Sequence, residues 1–293
     1  MPLFVLSIFT NHSRLFLITA STVFPLTISA YSLQKGEFMK KALILAVILL
    51  LIPQMIMSYD DPGGMNLKGP TTLKTGQKEF KIQHRFYGKV SEKPIDTFFG
   101  MYIGANVSLG LRYLLFSKLE LNTSYMRDGN EFEVGTSYAV FIPAIMLRSQ
   151  IDAQFFSYKQ YNLEKKAEER KSNVFALLLL QTDPIMKIIT PTVNVGYDGD
   201  NKEIGAGVGL SVIALADLGM IRKLVLIGEY YPTKLEDRKN CYDFGIRLET
   251  YGHNFDFIFG NNSNIGVRHL MLGVDKLIPK GLYFGFNIKR LLG

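Results

Sequence analysis

The chain has 293 residues, a length that suits one large all-β domain as readily as two ordinary domains. Its single cysteine, Cys241, excludes an intramolecular disulfide and a cysteine-based zinc site, and we interpret it as a bystander at the start of a strand. The formal net charge of +7 is spread along the sequence, which argues against nucleic acid as a partner.

A secretory signal peptide is predicted over residues 39–58. Met39-Lys40-Lys41 supplies a short cationic region, residues 42–52 supply an apolar core, and Ser58 is a small residue before the acidic start of the mature chain. Because the apolar core is too short to favour a membrane-spanning helix, we expect export through the inner membrane followed by cleavage.

Residues 1–38 precede this complete signal peptide. We interpret them as an extension created by a mis-assigned translation start, since codons for residues 35–38 can contain a ribosome-binding sequence just ahead of Met39. In the alternative interpretation, the apolar segment 15–28 and the later apolar segment form two anchoring helices. Residues 59–79 follow the signal peptide, are rich in Gly, Pro and Thr, and are predicted to be a flexible lead-in.

The barrel domain is predicted over residues 80–293, where apolar and polar residues alternate with a period of two. Such alternation is typical of strands with one apolar face. Most of the runs reach the roughly 9–11 residues that a tilted strand needs to cross a bilayer. The twelve runs are 80–87, 103–115, 119–126, 131–141, 144–157, 172–181, 187–197, 203–214, 221–231, 241–250, 253–259 and 282–290.

The length of each break depends on whether the run before it is odd-numbered or even-numbered. Breaks after even-numbered runs are short, whereas most breaks after odd-numbered runs are long, at 88–102, 158–171, 232–240 and 260–281. Short turns at one rim and long loops at the other are the outer-membrane pattern, with both termini on the periplasmic side. We therefore predict a closed antiparallel up-and-down transmembrane β-barrel of about twelve strands, with ten or fourteen as alternatives. The densely charged break 158–171 is interpreted as a solvated loop, with a surface site for a partner as the alternative.

Three local features complicate the pattern. Residues 177–180 are continuously apolar, and Lys223 is in phase with the supposed lipid-facing side of its run unless it lies near a rim. We attribute both to bulges in the wall. Gly205, Gly207 and Gly209 lack the Lys-Ser/Thr of a phosphate loop, and they are interpreted as permitting a close approach or a bend.

The inward face carries charges of both signs. Eight strands are filled by their own side chains and 16 to 18 leave a water channel, so about twelve falls between these cases. Charges in so narrow a lumen must pair or stay hydrated, and we expect a partly plugged lumen with at most a narrow hydrated path. These residues serve either as structural filler or as a selectivity constriction. The candidate lumen-lining residues are Arg85, Arg112, Glu120, Glu133, Arg148, Asp152, Asp243, Arg247, Glu249, Asp256 and Lys289.

No catalytic, cofactor-binding or metal-binding residue is predicted. A barrel hydrolase needs a histidine within hydrogen-bond reach of a serine or aspartate, but His84, His253 and His269 are dispersed in the pattern. Their separation also argues against a shared metal site.

Several motifs together resemble an uncharacterised outer-membrane-type β-barrel family of Gram-negative bacteria, a domain of unknown function. They span about residues 80–290. The resemblance implies a barrel at the outer membrane and supplies no substrate or catalytic residue. The motifs are Gln83-His-Arg-Phe86, Phe98-Phe-Gly100, Gly104-Ala-Asn-Val-Ser-Leu-Gly-Leu111, Gly228-Glu-Tyr-Tyr231, Gly252-His-Asn-Phe255 and Phe284-Gly-Phe-Asn-Ile-Lys-Arg290.

The function predicted from these features is that of a non-enzymatic outer-membrane barrel, either a narrow passive channel or a structural or accessory membrane component. The expected partners are outer-membrane lipid, the barrel-assembly machinery and small solutes, and the oligomeric state stays open. One alternative is a barrel enzyme that hydrolyses lipid or peptide. Another is a soluble periplasmic β-barrel that binds an apolar ligand inside.

Overall fold

The computed structural model describes residues 61, 63–142, 146–162 and 166–292, together with the backbone of four short strands near the N-terminus. Residues 1–55 and 56–293 form two separate units. In the first unit, Thr10–Asn11 pairs with Arg14–Leu15 and Leu17–Thr19 pairs with Thr22–Phe24. The described part of segment 15–28 is therefore extended rather than helical. The remainder of the predicted extension 1–38 and the predicted signal peptide 39–58 lie outside the described residues.

The second unit contains twelve long strands, which form because alternating apolar and polar side chains place one apolar face on each strand. In chain order they are β1 Lys78–Lys89, β2 Ala105–Leu114, β3 Leu119–Met126, β4 Glu131–Ile142, β5 Leu147–Asn162, β6 Ala167–Thr182, β7 Ile189–Asp198, β8 Glu203–Leu218, β9 Ile221–Tyr231, β10 Cys241–Thr250, β11 His253–Gly260 and β12 Tyr283–Leu292.

The strands close into a single barrel. Each strand pairs antiparallel with the next along the chain, and β12 returns to pair with β1, with Asn287 opposite Gln83. Closure satisfies the backbone hydrogen-bonding groups within the wall, which is what a strand in hydrocarbon requires. The prediction of a closed antiparallel barrel of about twelve strands is confirmed.

The two faces of the wall differ in chemistry. The outer face exposes large apolar side chains on each of the strands β2–β11, among them Leu109, Leu121, Phe132, Ile151, Leu178, Val195, Leu210, Leu226, Phe244 and Phe257. The inner face buries polar side chains at the alternate positions, among them Gln83, Ser108, Asn122, Ser137, Gln154, Asn194, Asp243 and Asn287. This arrangement is the inverse of a soluble barrel, because the apolar side faces outward. Among the described residues, no helix is both long and apolar enough to cross a membrane.

The two ends of the barrel differ in which strands begin and finish there. The terminal rim is the end at which β1 begins and β12 finishes, and the loop rim is the opposite end. Residues 90–104, 232–240 and 261–282 form the long connections at the loop rim. They contain the 3₁₀ turn Met101–Ile103, the short helix α1 (Val267–Met271) and a two-stranded pairing of Arg238–Lys239 with Val274–Asp275. The 3₁₀ turn Asp128–Asn130 lies in the shorter connection between β3 and β4.

The described residues of the charged segment 158–171 are mostly exposed, as predicted for a solvated segment, but they form strands rather than the predicted loop. Strand β5 continues to Asn162 and β6 begins at Ala167, so the hairpin extends beyond the neighbouring strands. Arg170 lies directly opposite Lys159, but Lys159 Nζ reaches the diagonal neighbour Glu168 and lies 3.0 Å from its Oε2. Mixed charge is therefore compatible with strand pairing here, because opposite charges on facing strands attract each other.

Lys223 of β9 lies on the opposite face of the wall from the one predicted. Its side chain lies on the inner face with Val225 and Ile227, and its Nζ is 3.6 Å from Glu249 Oε2. The pairing of β9 with β10 shifts by one residue between Ile221 and Lys223, next to this inward-facing lysine. The continuous apolar run in β6 has a different cause, because both of its faces contact apolar surroundings.

The lumen contains residues 61 and 63–77, here named the plug. The sequence predicted a flexible lead-in over 59–79. The plug does lack helix and strand, but Met65 and Leu67 are buried inside the barrel, and β1 begins at Lys78 rather than after residue 79. The order comes from contacts with the wall rather than from regular secondary structure.

Candidate functional site

The plug is anchored by a carboxylate of the wall. Glu229 Oε1 on β9 accepts hydrogen bonds from the backbone N–H groups of Met65 (2.6 Å), Asn66 (3.1 Å) and Leu67 (3.2 Å). Tyr231 donates its hydroxyl hydrogen to Glu229 Oε2 at 2.9 Å. Hydrogen bonds to a charged acceptor are stronger than those between neutral groups, so this carboxylate fixes the chain direction of the plug.

The carbonyl groups of the plug are held by a cation. The Arg247 guanidinium on β10 donates to the carbonyl oxygens of Gly63 (2.7 Å) and Gly64 (2.8 Å), and it pairs with Asp256 Oδ1 at 2.6 Å. Both side chains are buried. A buried ion pair is stable only when its remaining hydrogen-bonding positions are filled, and the plug carbonyls fill them here.

Asp61 adds a carboxylate to the same cluster. It forms an ion pair with Lys289 of β12 and lies 3.3 Å from Arg247 Nη2. Burial alone would raise the pKa of the Asp61 carboxyl, but Arg247 and Lys289 outweigh burial and hold this pKa well below its usual range. Asp61 is therefore ionised at neutral pH and binds the start of the plug to the wall.

Lys68 extends from the plug across the lumen. Asn194 of β7 holds its backbone twice, by accepting from the Lys68 N–H and donating to the Lys68 carbonyl oxygen, each at 2.9 Å. On the other side, Lys68 Nζ lies 3.5 Å from both Glu133 Oε1 and Asp152 Oδ2. Burial lowers the pKa of Lys68, but the two carboxylates outweigh burial and raise this pKa overall.

Glycines on the inner face of β8 make room for the apolar part of the plug. A Cβ atom at Gly209 would lie 2.5 Å from Leu67 Cδ1, and one at Gly207 would lie 2.7 Å from the Tyr231 ring. At Gly205 it would lie 2.6 Å from Met271 Cβ of α1. Any larger residue would displace these side chains, so the glycines act by permitting close approach.

Helix α1 closes the loop rim over the plug. Leu270 and Met271 are buried in an apolar cluster with Leu67 of the plug and Phe175 of β6. This cluster also contains Cys241, the free and buried cysteine. The inward apolar residues of β6 thus face protein instead of water, which explains the continuous apolar run in that strand.

Charged residues of α1 contact the wall beside this cluster. Arg268 pairs with Glu131 at the start of β4 and lies 3.5 Å from Asp198 Oδ2, and its guanidinium carbon is 4.4 Å from the centre of the Phe156 ring. The neighbouring His269 Nε2 lies 3.0 Å from Glu131 Oε1. These contacts combine ion pairing with a cation–π interaction and hold α1 against the wall.

A cavity of about 120 Å³ lies beside the plug, along β1–β5. Its lining extends from Glu79 and Glu120 near the terminal rim to Glu131 and His269 at the loop rim. The Arg112 guanidinium bridges the two carboxylates at the terminal end, 3.2 Å from Glu79 and 2.8 Å from Glu120. A cavity with this many polar groups can hold ordered water.

The structure places ten of the eleven candidate lumen-lining residues on the inner face within the contacts of the plug, the cavity or the charged clusters next to them. The eleventh, Arg148, lies at the terminal rim, where its Nη2 is 2.7 Å from Asp183 Oδ1 of the turn after β6. The ten are Arg85, Arg112, Glu120, Glu133, Asp152, Asp243, Arg247, Glu249, Asp256 and Lys289.

Sequence analysis missed the plug residues and their anchor. Asn66 is held between Arg85 and Asp243, at 3.1 Å and 2.8 Å, although its segment carries no periodic signal. Glu229 was missed because the assumed phase of β9 put it on the lipid side. The charged Lys223 in the same phase was the signal that could have corrected the assignment.

The three histidines of the domain lie on different parts of the barrel. His84 is on the outer face, stacked on Phe286 with ring centres 4.9 Å apart. His253 begins β11 at the terminal rim, and His269 is in α1 at the loop rim. In the part of the chain that the structure describes, no group of three or more His, Cys, Asp or Glu residues could hold a metal ion.

Comparison with known families gives one match. The sequence profile described as "Membrane bound beta barrel domain (DUF5777)" matches residues 63–177 and 201–292. The matched part begins inside the plug, so the profile includes the plug segment together with the wall. No curated protein matches the chain.

Several solved structures resemble the fold at low sequence identity. An outer membrane channel from Pseudomonas putida F1 has 10% identity and a TM-score of 0.44, over 80% of this chain and 100% of its own. LpxR from Salmonella typhimurium has 10% identity and a TM-score of 0.41, over 72% of this chain and 99% of its own. OprB from Pseudomonas putida has 8% identity and a TM-score of 0.32, over 65% of this chain and 60% of its own.

Proposed function

Because the chain belongs to the DUF5777 family of membrane-bound β-barrel domains, we propose that it is a non-enzymatic, narrow passive channel of the outer membrane for small polar solutes. Family membership also removes the alternative of a soluble periplasmic barrel. The outer membrane is the proposed location because closed barrels with an apolar outer band are characteristic of that membrane. The predicted signal peptide supports the same location.

The observation that carries this proposal is the course of the cavity. Its lining continues along one wall from Glu79 near the terminal rim to Glu131 at the loop rim, while the plug fills the opposite side of the lumen. Barrels of this size can hold a narrow passage when part of the lumen is filled. We therefore assign the plug the role of limiting the size of the passage and of closing it on one side.

The non-enzymatic part of the proposal is supported by the separation of the histidines. His84, His253 and His269 lie on the outer face, at the terminal rim and at the loop rim, respectively. A hydrolytic site would need a base within hydrogen-bond distance of its nucleophile. The structural or accessory role remains the second candidate, and conductance measurements separate it from the channel.

The test is planar-bilayer conductance of the purified full-length protein and of Glu229→Gln. We expect a small conductance for the wild type. We expect a larger or more frequently open conductance for the variant, because Glu229 loses the charge that holds three plug N–H groups. Glu236→Gln is the matched control, since Glu236 is exposed in a loop-rim connection. Silence of both the wild type and Glu229→Gln at all voltages would reject the channel and favour the structural role.

A further inference from the structure

The two carboxylate pairs beside the cavity are neutralised in different ways. The pair at the terminal end receives its cation, Arg112, from the wall itself. Glu133 of β4 and Asp152 of β5 receive theirs from Lys68 of the plug, at 3.5 Å each. The wall alone therefore presents a pair of carboxylates without a cation of its own. Lys68 occupies this position as an internal ligand.

The oxygen atoms of this pair divide into two groups. Glu133 Oε2 accepts from the Ser124 hydroxyl at 2.8 Å, and Asp152 Oδ1 accepts from Gln150 Nε2 at 3.0 Å. The other two oxygens, Glu133 Oε1 and Asp152 Oδ2, are the atoms that Lys68 Nζ approaches. These contacts hold both carboxylates in place and direct one oxygen of each toward the same point. That geometry suits one ammonium group.

Two buried side-chain amides lie at the edge of the same cavity. Gln83 and Gln154 line it with side chains that are only 7% and 3% exposed, respectively. Within the described residues, neither Nε2 atom has a hydrogen-bond partner. A buried amide without a partner is costly, so an acceptor that reached either Nε2 atom would be stabilised there.

Lys81 adds an amine to these donors. It lines the cavity, and among the described residues no carboxylate lies within ion-pair distance of its Nζ. Lys81, Gly110, Ser124 and Glu133 stand directly opposite one another on the consecutive strands β1–β4. A Cβ atom at Gly110 would meet only ordinary contacts of 3.7 Å, so wall packing does not require glycine there. The missing side chain leaves space between the cationic and acidic ends of the row.

We propose that this row is a binding site for a small zwitterionic amino compound. The ammonium group of the solute replaces Lys68 Nζ between Glu133 and Asp152, and its carboxylate is directed toward Lys81 and the unpartnered amide donors. This inference deepens the proposed channel function, because it names the class of solute that the lumen recognises. The solute and Lys68 compete for the same two oxygens, so binding also releases one contact of the plug.

The site is tested with the full-length Lys68→Ala variant in detergent, by thermal unfolding in the presence of added solutes. The substitution removes the internal competitor and leaves both carboxylates in place. The probes are 4-aminobutyrate, n-butylammonium chloride and sodium butyrate at equal ionic strength. We expect 4-aminobutyrate to raise the unfolding temperature most, because a ligand that binds only the folded state stabilises it. Butylammonium should raise the unfolding temperature by less than 4-aminobutyrate does. Butyrate should raise it no more than sodium chloride does.

Two further variants in the Lys68→Ala background locate the binding groups. Glu133→Gln combined with Asp152→Asn should weaken the apparent affinity for 4-aminobutyrate by about tenfold or more, since hydrogen bonds to charged groups are the strong ones. Lys81→Met should reduce the effect of 4-aminobutyrate to that of butylammonium. Equal affinities in Lys68→Ala and in the variant without both carboxylates would overturn the site. Equal stabilisation by calcium chloride would overturn its specificity for an ammonium group.

The outcome is separable from that of the channel proposal, because binding is measured at equilibrium without a membrane. If 4-aminobutyrate binds as expected while the protein remains silent in planar bilayers, the site stands and the channel is rejected. If the protein conducts but no probe stabilises Lys68→Ala beyond sodium chloride, the channel stands and the zwitterion site is rejected.

Discussion

At the scale of single residues, the lumen depends on pairs in which the plug supplies one member and the wall the other. Glu229 and Arg247 of the wall bind the N–H and carbonyl groups of the plug backbone. Asp61 and Lys68 of the plug bind charged side chains of the wall. The wall therefore binds both the backbone and the side chains of the plug. A single substitution in either the plug or the wall removes a contact between the two.

Gly64 shows how closely the plug approaches the wall. A Cβ atom at this position would lie 1.9 Å from Glu229 Oε1, whereas one at Gly228 would meet nothing within 4 Å. We expect Gly64→Ala to displace the plug and increase conductance in planar bilayers, and Gly228→Ala to behave as the wild type. If the two variants conduct alike, the plug is not held in the way described.

Asp61 gives the plug a defined response to acid. Its pKa is lowered in the folded protein from the ordinary value of 3.8, so its contribution to stability is present above that value and is lost as the pH falls toward the folded pKa. The difference in unfolding temperature between the wild type and Asp61→Asn should therefore stay constant above about pH 4 and narrow below it. A difference that narrows near neutral pH would contradict the ion pairs with Arg247 and Lys289.

At the scale of elements, the sequence predicted the wall better than what lies inside it. Strands β3, β9 and β10 have the predicted bounds, because lipid outside and polar groups inside impose a period of two. The plug was missed because its Gly-rich and Pro-rich composition indicates only that regular structure is absent. Its order depends on Glu229 and Arg247, which lie far away in the sequence.

The predictions of a loop at 158–171 and of the inward face of β9 were wrong because both depend on contacts between residues that lie on different elements of the fold. The hairpin of β5 and β6 extends through a charged segment, in which Lys159 forms an ion pair with its diagonal neighbour Glu168 on the other strand. The phase of β9 was misjudged because Val225 and Ile227 pack inside the barrel, near Met65 of the plug, rather than facing lipid. An apolar residue on the inner face is recognised only once the plug is known.

Helix α1 is expected to stabilise the loop rim through its buried side chains. Leu270 is fully buried in the apolar cluster, so Leu270→Ala should lower the free energy of unfolding by about 2–5 kcal/mol. Leu277→Ala in the same connection is the control, because Leu277 is 89% exposed and should change stability by less than about 0.5 kcal/mol. Denaturant titration in detergent measures both, and equal losses would show that α1 does not pack as described.

At the scale of the whole molecule, the structure combines an apolar outer band with an interior rich in ionisable side chains. The resemblance to a family of membrane β-barrels is confirmed by the family match, which covers both plug and wall. The closed wall follows from the alternating pattern, whereas the position of the cavity depends on the side of the lumen that the plug occupies. Strand periodicity contains no information on that choice.

The charges around the cavity predict a weak cation preference for the proposed channel. Six Asp or Glu residues and five Lys or Arg residues line it. We expect a reversal potential on the cation-selective side in a potassium chloride gradient, and a stronger preference for Lys68→Gln, which removes one of the five cations. The effect should weaken at high salt, where charges are screened. Anion selectivity in both proteins would contradict the assignment of this cavity as the conducting path.

The seam between β1 and β12 sets the order in which the protein can be assembled. These strands lie at the two ends of the domain, so the circle is completed only after the last strand has been synthesised and brought to the first. The plug is attached directly ahead of β1, whereas its charged anchors come from β9, β10 and β12. Those contacts can form only after the last strands of the domain are available. Filling of the interior therefore belongs to the final stage of assembly.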